Sequence, residues 1–228
     1  QLVATLCGAV DSNRVQSLPG YRGTLPNTHY SGYVETPLPS GAGTAHTHYW
    51  LVLSGRADAP TVVWQQGGPG GSSLIGLLTE NGPLTLNDAS FSTKEYNATG
   101  VPTVFDNPHA WINAEGSPNM LYVEHPAPTG FSYCGSIGTD CVHDDETQSQ
   151  LNYDFYVKFF SLYPELADKP LFYTGESYAG VLVPTLALKL LAARNATNRH
   201  TAPWSITGFA LGASSEIRTR NLLIPRSS

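Results

Sequence analysis

The fold of this chain is decided by the stretch Pro170-Leu171-Phe172-Tyr173-Thr174-Gly175-Glu176-Ser177-Tyr178-Ala179-Gly180-Val181-Leu182-Val183. Its first residues are β-prone, its centre has the pattern Gly-x-Ser-x-Ala-Gly, and its end is apolar and helix-capable. This order predicts a sharp strand-to-helix turn that exposes the Ser177 hydroxyl at the end of a strand, between small residues that avoid a clash. Because an ordinary turn fits the same central residues, the surrounding sequence has to distinguish the two.

Segments with strand and helix character alternate around this turn. The predicted strands are 48–53, 60–64, 120–123, 171–174 and 204–211, and the predicted helices are 74–79, 145–163 and 183–194. The longest helix is indicated by apolar residues at helical spacing from Leu151 to Leu162, and Pro184 suits the first turn of the last helix. This alternation predicts an α/β fold with a mostly parallel sheet and helices on both faces. Residues 12–45 predict an irregular arm with short strands, and residues 84–110 predict a hairpin.

Composition excludes several classes of protein. The chain has 228 residues, of which 41% are hydrophobic and 13% charged, as is typical of a globular domain with a weakly charged surface. The formal net charge is −6 and no basic cluster is present, which argues against a nucleic-acid partner. No apolar run approaches the roughly 18–20 residues of a membrane span. The 3 cysteines have no metal-like spacing, and no metal or organic cofactor is indicated.

Several features indicate an exported protein. Cys134 and Cys141 flank a Gly/Ser-rich loop, where they either close a small disulfide or remain free thiols. Sequons at Asn97 and Asn195 favour glycosylation. Residues 1–16 have the character of an N-terminal, signal-derived remnant. These features predict the secretory pathway, with the extracellular space or a lysosome or vacuole as the destination.

The loops that follow the predicted strands can meet at one place. Glycines dominate the loop Gln66–Ser73 and leave its backbone amides unshielded, and the loop 126–133 follows another strand. In a parallel sheet the carboxyl ends of the strands share one edge, so both loops are expected to converge with Ser177. A serine that attacks an acyl carbon creates an oxyanion, and the amides of Gly68 and Tyr178 are the natural donors to it.

Blocks of sequence on both sides of this loop occur in a characteristic order. They are Trp64–Ser73, Glu80–Pro83, Met120–Tyr133 and Gly175–Pro184. In this order they resemble the motifs of the serine carboxypeptidases, an α/β-hydrolase family. The resemblance covers roughly residues 17–212 and implies a partial α/β-hydrolase domain there, with 213–228 as a divergent tail.

The resemblance implies hydrolysis of the C-terminal bond of peptides or proteins, with Ser177 as the nucleophile and an acyl-enzyme intermediate. It assigns the oxyanion-hole amides to Gly68 and Tyr178. The implied pocket for the substrate's free carboxylate consists of Trp64, Gln66, Glu80 and Glu176. Since binding one carboxylate with two others requires shared protons, the activity of the complete enzyme is expected to favour acidic pH.

Some positions depart from the family pattern. Gln66 stands where Asn is usual and is one methylene longer, and Gly71 replaces the Cys that normally anchors the loop. The family's triad continues with Asp and then His far beyond the serine, whereas no Asp follows Ser177 and His200 is the only histidine after it. We therefore expect a chain that is truncated, with a fold incomplete on its C-terminal side and without the Asp and His of the triad.

The remaining histidines offer no obvious general base. His200 lies beside the second sequon and is expected to be an exposed loop residue, and His46, His48 and His125 are expected to be polar strand or loop residues. The alternatives to a peptidase are a serine carboxypeptidase-like acyltransferase, which passes the acyl group to an alcohol or amine, and a non-catalytic binding remnant. The acidic residues of the implied pocket favour the peptidase. The oligomeric state stays open.

Overall fold

The main sheet and its helices are contained in the residues that the computed structural model describes, which are 11–39, 41, 43–135, 141–196 and 206–212, without the side chains of 194–196. The strands are β1 Arg14–Val15, β2 Thr28–Pro37, β3 Thr44–Leu53, β4 Thr61–Gln65, β5 Leu84–Thr85, β6 Phe105–Asp106, β7 Asn119–Val123, β8 Tyr133–Cys134, β9 Leu171–Glu176 and β10 Ile206–Gly212. The helices are α1 Lys94–Thr99, α2 Asp145–Leu162, α3 Pro164–Ala167 and α4 Ala179–Ala196. Short helical turns lie at Gly76–Glu80, Asp88–Phe91 and Trp111–Asn113.

The sheet combines a parallel and an antiparallel half. Its order is β1-β2-β3-β7-β4-β9-β10, and β8 pairs with β3. The strands β7, β4, β9 and β10 run parallel, whereas β1, β2 and β3 pair antiparallel and β3 is antiparallel to β7. The predicted parallel sheet is confirmed for the half that carries Ser177. Since parallel strands end at one edge, the loop after β4 and the turn after β9 become neighbours.

The N-terminal arm is more regular than the sequence predicts. The strand β2 has 10 residues and pairs with β3 along its whole length. This strand is hard to predict from a local pattern because it contains Gly32 and Pro37, which are poor strand formers. Pairing with β3 compensates for them. The hairpin expected in residues 84–110 is present as β5 paired with β6, but the segment between them also contains α1, which begins after the N-cap Thr93.

The helix α2 matches its prediction closely. It begins after Asp144, whose side chain caps the first turn, and it buries Phe155 and Phe159 against the sheet. Leu162 departs from the predicted apolar stripe, because it is exposed while the next residue, Tyr163, is buried. Neither α2 nor any other helix in the described part of the chain is long and apolar enough to cross a membrane.

The helix α4 begins earlier than predicted. Its first residue is Ala179 rather than residue 183 because the turn at Ser177 leads directly into it. The Gly180 N–H donates to the Ser177 carbonyl at 2.9 Å and starts the helix. Pro184 therefore lies inside α4 instead of in its first turn, where its ring replaces the N–H that would bond the Gly180 carbonyl.

Alternation along the central strands divides the core into two parts. In β7, Leu121 and Val123 pack with α2 and α4, whereas Met120 and Tyr122 pack on the other face with the short helical turns. Long helices thus cover one face of the described sheet and short helical turns cover the other. The strand ends that carry the glycine-rich loop and Ser177 lie between these two layers.

Candidate active site

Ser177 occupies the sharp turn between β9 and α4. Its φ of +55° lies in the left-handed region, which residues other than glycine rarely adopt. Two backbone hydrogen bonds hold the turn, from the Ser177 N–H to the Gly212 carbonyl at 2.8 Å and from the Gly180 N–H to the Ser177 carbonyl at 2.9 Å. Ser177 is exposed at the end of β9. The predicted strand-to-helix turn is therefore present, with a strained serine at its apex.

Close backbone packing explains two glycines of the site. A Cβ at Gly175 would overlap the Gln65 carbonyl oxygen, and a Cβ at Gly67 would lie 2.7 Å from the Tyr178 nitrogen. Gly180 is different, because a Cβ there would have no neighbour within 4 Å. The expectation that small residues on both sides of Ser177 avoid a clash therefore holds before the serine and is wrong for Gly180.

The glycine-rich loop packs directly against the turn. The Gly71 N–H donates to the Gly67 carbonyl at 2.9 Å and closes the loop, and Gly68 has a φ of +119° that favours glycine. Because Gly67 packs against the Tyr178 amide, the neighbouring Gly68 lies at the same edge of the sheet as Tyr178. The two segments that carry the predicted oxyanion donors are thus adjacent, and the donor role of their amides stays a prediction.

A hydrogen-bonded cluster lies immediately beside Ser177. Trp64 Nε1, which can only donate, bonds Gln66 Oε1 at 2.8 Å and thereby fixes the orientation of that amide. Gln66 Nε2 consequently faces Glu176 and donates to its Oε1 at 2.6 Å. A further hydrogen bond joins Gln66 to Glu80. All four residues of the predicted carboxylate pocket therefore meet, and binding of a substrate by them stays a prediction.

Glu80 has a shifted pKa in this cluster. Partial burial raises its pKa most, the nearby Glu176 raises it further, and the hydrogen bond from Gln66 lowers it. The net shift is upward, which keeps the Glu80 carboxyl protonated to a higher pH than a free side chain. A protonated carboxyl can donate a hydrogen bond to a carboxylate, which is the property that a pocket lined by acids needs in order to hold one.

The two departures from the family pattern lie against each other. A Cβ at Gly71 would be 3.1 Å from Gln66 Cγ and 2.8 Å from the Gly67 carbonyl oxygen. The nearest obstacle is the backbone of the loop itself, so a side chain at position 71 has no room unless the loop shifts. The Gln66 amide bonds Glu176 in this arrangement.

A further site residue, to which the sequence assigns no role, is Glu124, a fully buried carboxyl at the end of β7. Glu124 accepts hydrogen bonds from Ser72 Oγ and, at 2.7 Å, from the Phe131 N–H. A Cβ at Gly130 would overlap the carboxyl, which explains that glycine. Glu124 therefore ties the glycine-rich loop to the loop 126–133. In the sequence, the sign of this role is an acidic residue directly after a buried strand. A buried acid needs hydrogen-bond partners from elsewhere in the fold.

The histidines weighed as general bases have other neighbours. His46 and His48 lie beside carboxyl groups at 3.4 and 3.0 Å, and His125 bonds a buried glutamine at 3.3 Å. Burial lowers the pKa of His125 to about 4, so this ring is neutral at physiological pH. None of these three side chains hydrogen-bonds Ser177, and His200 lies outside the described residues.

The features that suggested export are partly visible. A disulfide joins Cys134 and Cys141, whose Cα atoms are 5.9 Å apart. Asn97 is exposed on α1. Asn195 belongs to the last turn of α4, and its side chain lies outside the described part of the chain. Cys7 lies wholly outside the described residues.

Comparison with known proteins gives consistent results. A family model described as serine carboxypeptidase matches residues 19–220. The lysosomal protective protein of Mus musculus is 40% identical over 185 residues, which are 80% of this chain and 35% of that protein. Serine carboxypeptidase 1 of Hordeum vulgare is 37% identical over 175 residues, which are 76% of this chain and 32% of that protein. This chain thus spans about a third of the length of these curated relatives.

A similar solved structure is a prohormone-processing carboxypeptidase from Saccharomyces cerevisiae. It superposes with a TM-score of 0.65 at 22% identity and covers 82% of this chain and 39% of its own. At this identity the likeness supports the fold alone. Together with the sheet order and the turn at Ser177, it shows an α/β-hydrolase fold.

The two glycines around Ser177 provide a matched pair of substitutions. We expect Gly175→Ala to lower the free energy of unfolding by about 1–3 kcal/mol or more, because its Cβ meets the Gln65 carbonyl oxygen. Gly180→Ala is expected to be neutral or stabilising by up to about 1 kcal/mol, because it adds a helix-favouring residue where a Cβ has open space. Urea denaturation measures both. Equal losses for the two variants would contradict the packing described for β9.

The raised pKa of Glu80 predicts a pH-dependent contribution to stability. The protonated carboxyl is favoured in the folded state, so its contribution is fully present below the ordinary glutamate pKa of about 4.3 and is lost as the pH rises through the higher pKa of the folded state. Between pH 4 and 7, Glu80→Gln should therefore gain melting temperature relative to the parent chain. A difference between the two melting curves that stays constant over this range would contradict the shift.

Proposed function

Because the chain belongs to the serine carboxypeptidase family, we propose that Ser177 is the nucleophile of a peptidase that removes residues from the C-termini of peptides or proteins. Trp64, Gln66, Glu80 and Glu176 would hold the substrate's free carboxylate. The alternatives are transfer of the acyl group to an alcohol or amine, and binding of such ligands without catalysis.

One observation carries the proposal: the cluster of Gln66 and two carboxyls next to the strained serine. Glu176 immediately precedes Ser177 and accepts from Gln66 at 2.6 Å. A substrate carboxylate bound to this cluster would place the last peptide bond of the substrate, and no internal bond, near Ser177. The upward shift of the Glu80 pKa supports this assignment, since one carboxyl must keep its proton to hold another carboxylate.

The chemistry follows from these positions. Ser177 Oγ attacks the last peptide carbonyl, and the resulting oxyanion is stabilised by the amides of Gly68 and Tyr178. The C–N bond then breaks, the terminal amino acid leaves with a proton on its nitrogen, and water hydrolyses the acyl-enzyme. Among the described histidines named above none reaches Ser177, so we assign no general base to this chain.

We also propose that residues 17–212 form the domain and that the protein enters the secretory pathway, bound for the extracellular space or a lysosome or vacuole. The disulfide between Cys134 and Cys141 supports an oxidising compartment. The exposed position of Asn97 on α1 would admit a glycan.

Use of the Asn97 sequon can be tested by mass. When the chain is expressed with a secretion signal in eukaryotic cells, Asn97→Gln should remove one glycosidase-sensitive increase in mass. Asn113→Gln, an exposed asparagine outside any sequon, is the matched control and should leave the mass increase intact. Identical masses before and after glycosidase treatment of the parent chain would refute glycosylation.

The peptidase is tested with two peptides that differ only in a C-terminal carboxylate or a C-terminal amide. In an enzyme that also supplies the Asp and His of the triad, we expect stepwise loss of residues from the free acid and cleavage of the amide that is about 10- to 100-fold slower, because the amide removes charge-assisted hydrogen bonds. Cleavage should be fastest near pH 5 and fall towards pH 8. Mass spectrometry of the products measures both effects, and Ser177→Ala is the inactive control.

Other results would redirect or overturn this proposal. Equal cleavage of the two peptides, or a rate that rises steadily from pH 5 to 8, would refute the carboxylate pocket. Capture of the acyl group by an added alcohol or amine in preference to water would identify the acyltransferase. Stoichiometric binding of the free-acid peptide without turnover would identify a non-catalytic binding protein.

A further inference from the structure

A second serine lies in a chain of hydrogen bonds that the proposed peptidase does not use. Ser31 Oγ on β2 lies 2.8 Å from His48 Nε2 on β3. His48 Nδ1 lies 3.0 Å from Glu124 Oε2, at the end of β7. The side chain of Glu124 is fully buried and that of His48 is 8% exposed. A nucleophile, a base and a carboxyl that orients the base thus stand in order, each within hydrogen-bond reach of the next.

The partners of Glu124 determine where the protons lie. Its Oε2 accepts from the Phe131 N–H at 2.7 Å, and its Oε1 accepts from Ser72 Oγ. Both oxygens therefore act as acceptors, as expected for a carboxylate, so His48 Nδ1 carries a hydrogen and donates it. In the neutral ring Nε2 is then bare and accepts the hydroxyl hydrogen of Ser31. This is the tautomer that a base needs in order to take a proton from serine.

An open cavity of about 670 Å³ gives access to this pair. Ser31 and His48 line it together with the apolar and aromatic side chains of Tyr33, Trp50, Leu74 and Phe131. The volume is in the range of small-molecule sites, and the composition of a few polar groups among apolar walls is typical of them. None of the residues lining the cavity belongs to the turn at Ser177 or to its carboxyl cluster.

We propose that Ser31 is a second nucleophilic serine of this protein, with His48 as its base, Glu124 as the residue that orients the base, and small uncharged esters as its substrates. The apolar walls favour an uncharged acyl group, and the cavity admits a small molecule more readily than a folded chain. The proposal is independent of the peptidase at Ser177.

The reaction balances without a co-reactant other than water. Ser31 Oγ bonds to the ester carbonyl carbon while its proton passes to His48 Nε2, and the carbonyl oxygen becomes an oxyanion. The C–O bond to the alcohol then breaks, and the alcohol leaves with the proton from His48. Water, deprotonated by the same ring, attacks the acyl-serine and releases the acid, which restores Ser31.

Labelling of the full chain with a fluorophosphonate tests this in a Ser177→Ala background, which removes the proposed peptidase nucleophile. Ser31 Oγ should bond to phosphorus and expel fluoride, and peptide mapping should locate one adduct at Ser31. His48→Gln should slow labelling by about 100-fold or more, as loss of a general base does. His46→Gln is the matched control on the same strand and should leave the rate unchanged.

Circular dichroism and thermal melting of each variant separate loss of the fold from loss of reactivity. If His48→Gln does not fold, the release of p-nitrophenol from p-nitrophenyl acetate is compared in Ser177→Ala and in Ser31→Ala/Ser177→Ala, and only the second should lack the burst. A folded Ser177→Ala protein without an adduct at Ser31 overturns the proposal. A labelling rate unaffected by His48→Gln overturns it as well, and the chain of hydrogen bonds is then purely structural.

Discussion

The close approach of β4 and β9 is the constraint on which the rest of the site depends. The two strands pair in parallel from Thr61↔Leu171 to Gln65↔Gly175, and at the last pair any side chain at position 175 would overlap the Gln65 carbonyl oxygen. The strand β4 ends at this pair, and β9 extends one residue further, to Glu176. The residues that follow the last pair, Gln66 and Glu176, come within a 2.6 Å hydrogen bond although they are far apart in sequence.

Directional hydrogen bonding organises the polar groups that this constraint brings together. An indole N–H can only donate, so Trp64 determines which end of the Gln66 amide faces the carboxyls. The backbone of the glycine-rich loop also limits the available space, because a Cβ at position 71 would lie 2.8 Å from the Gly67 carbonyl oxygen. The spacing of the backbone thus brings the polar groups beside Ser177 together, and the identities of the side chains then determine which hydrogen bonds they form.

A buried carboxylate also holds several segments together at the end of β7. Glu124 receives hydrogen bonds from Ser72, Phe131 and His48, which lie on two loops and one strand. Burying a charge costs free energy unless the charge is paired. When Glu124 is buried in the folded protein, its hydrogen bonds therefore hold these three segments together. The glycine-rich loop is therefore fixed on one side by the turn at Ser177 and on the other by this carboxylate.

The sequence by itself determined the features that depend on neighbouring residues. It located the turn at Ser177, the helix that begins after Asp144, and most strands of the central sheet, because caps, glycines and apolar periodicity act over a few residues. Only the tertiary structure decided the full length of β2 and the hydrogen bond between Gln66 and Glu176. These depend on strand pairing and on contacts between distant segments, whose energies no local pattern contains.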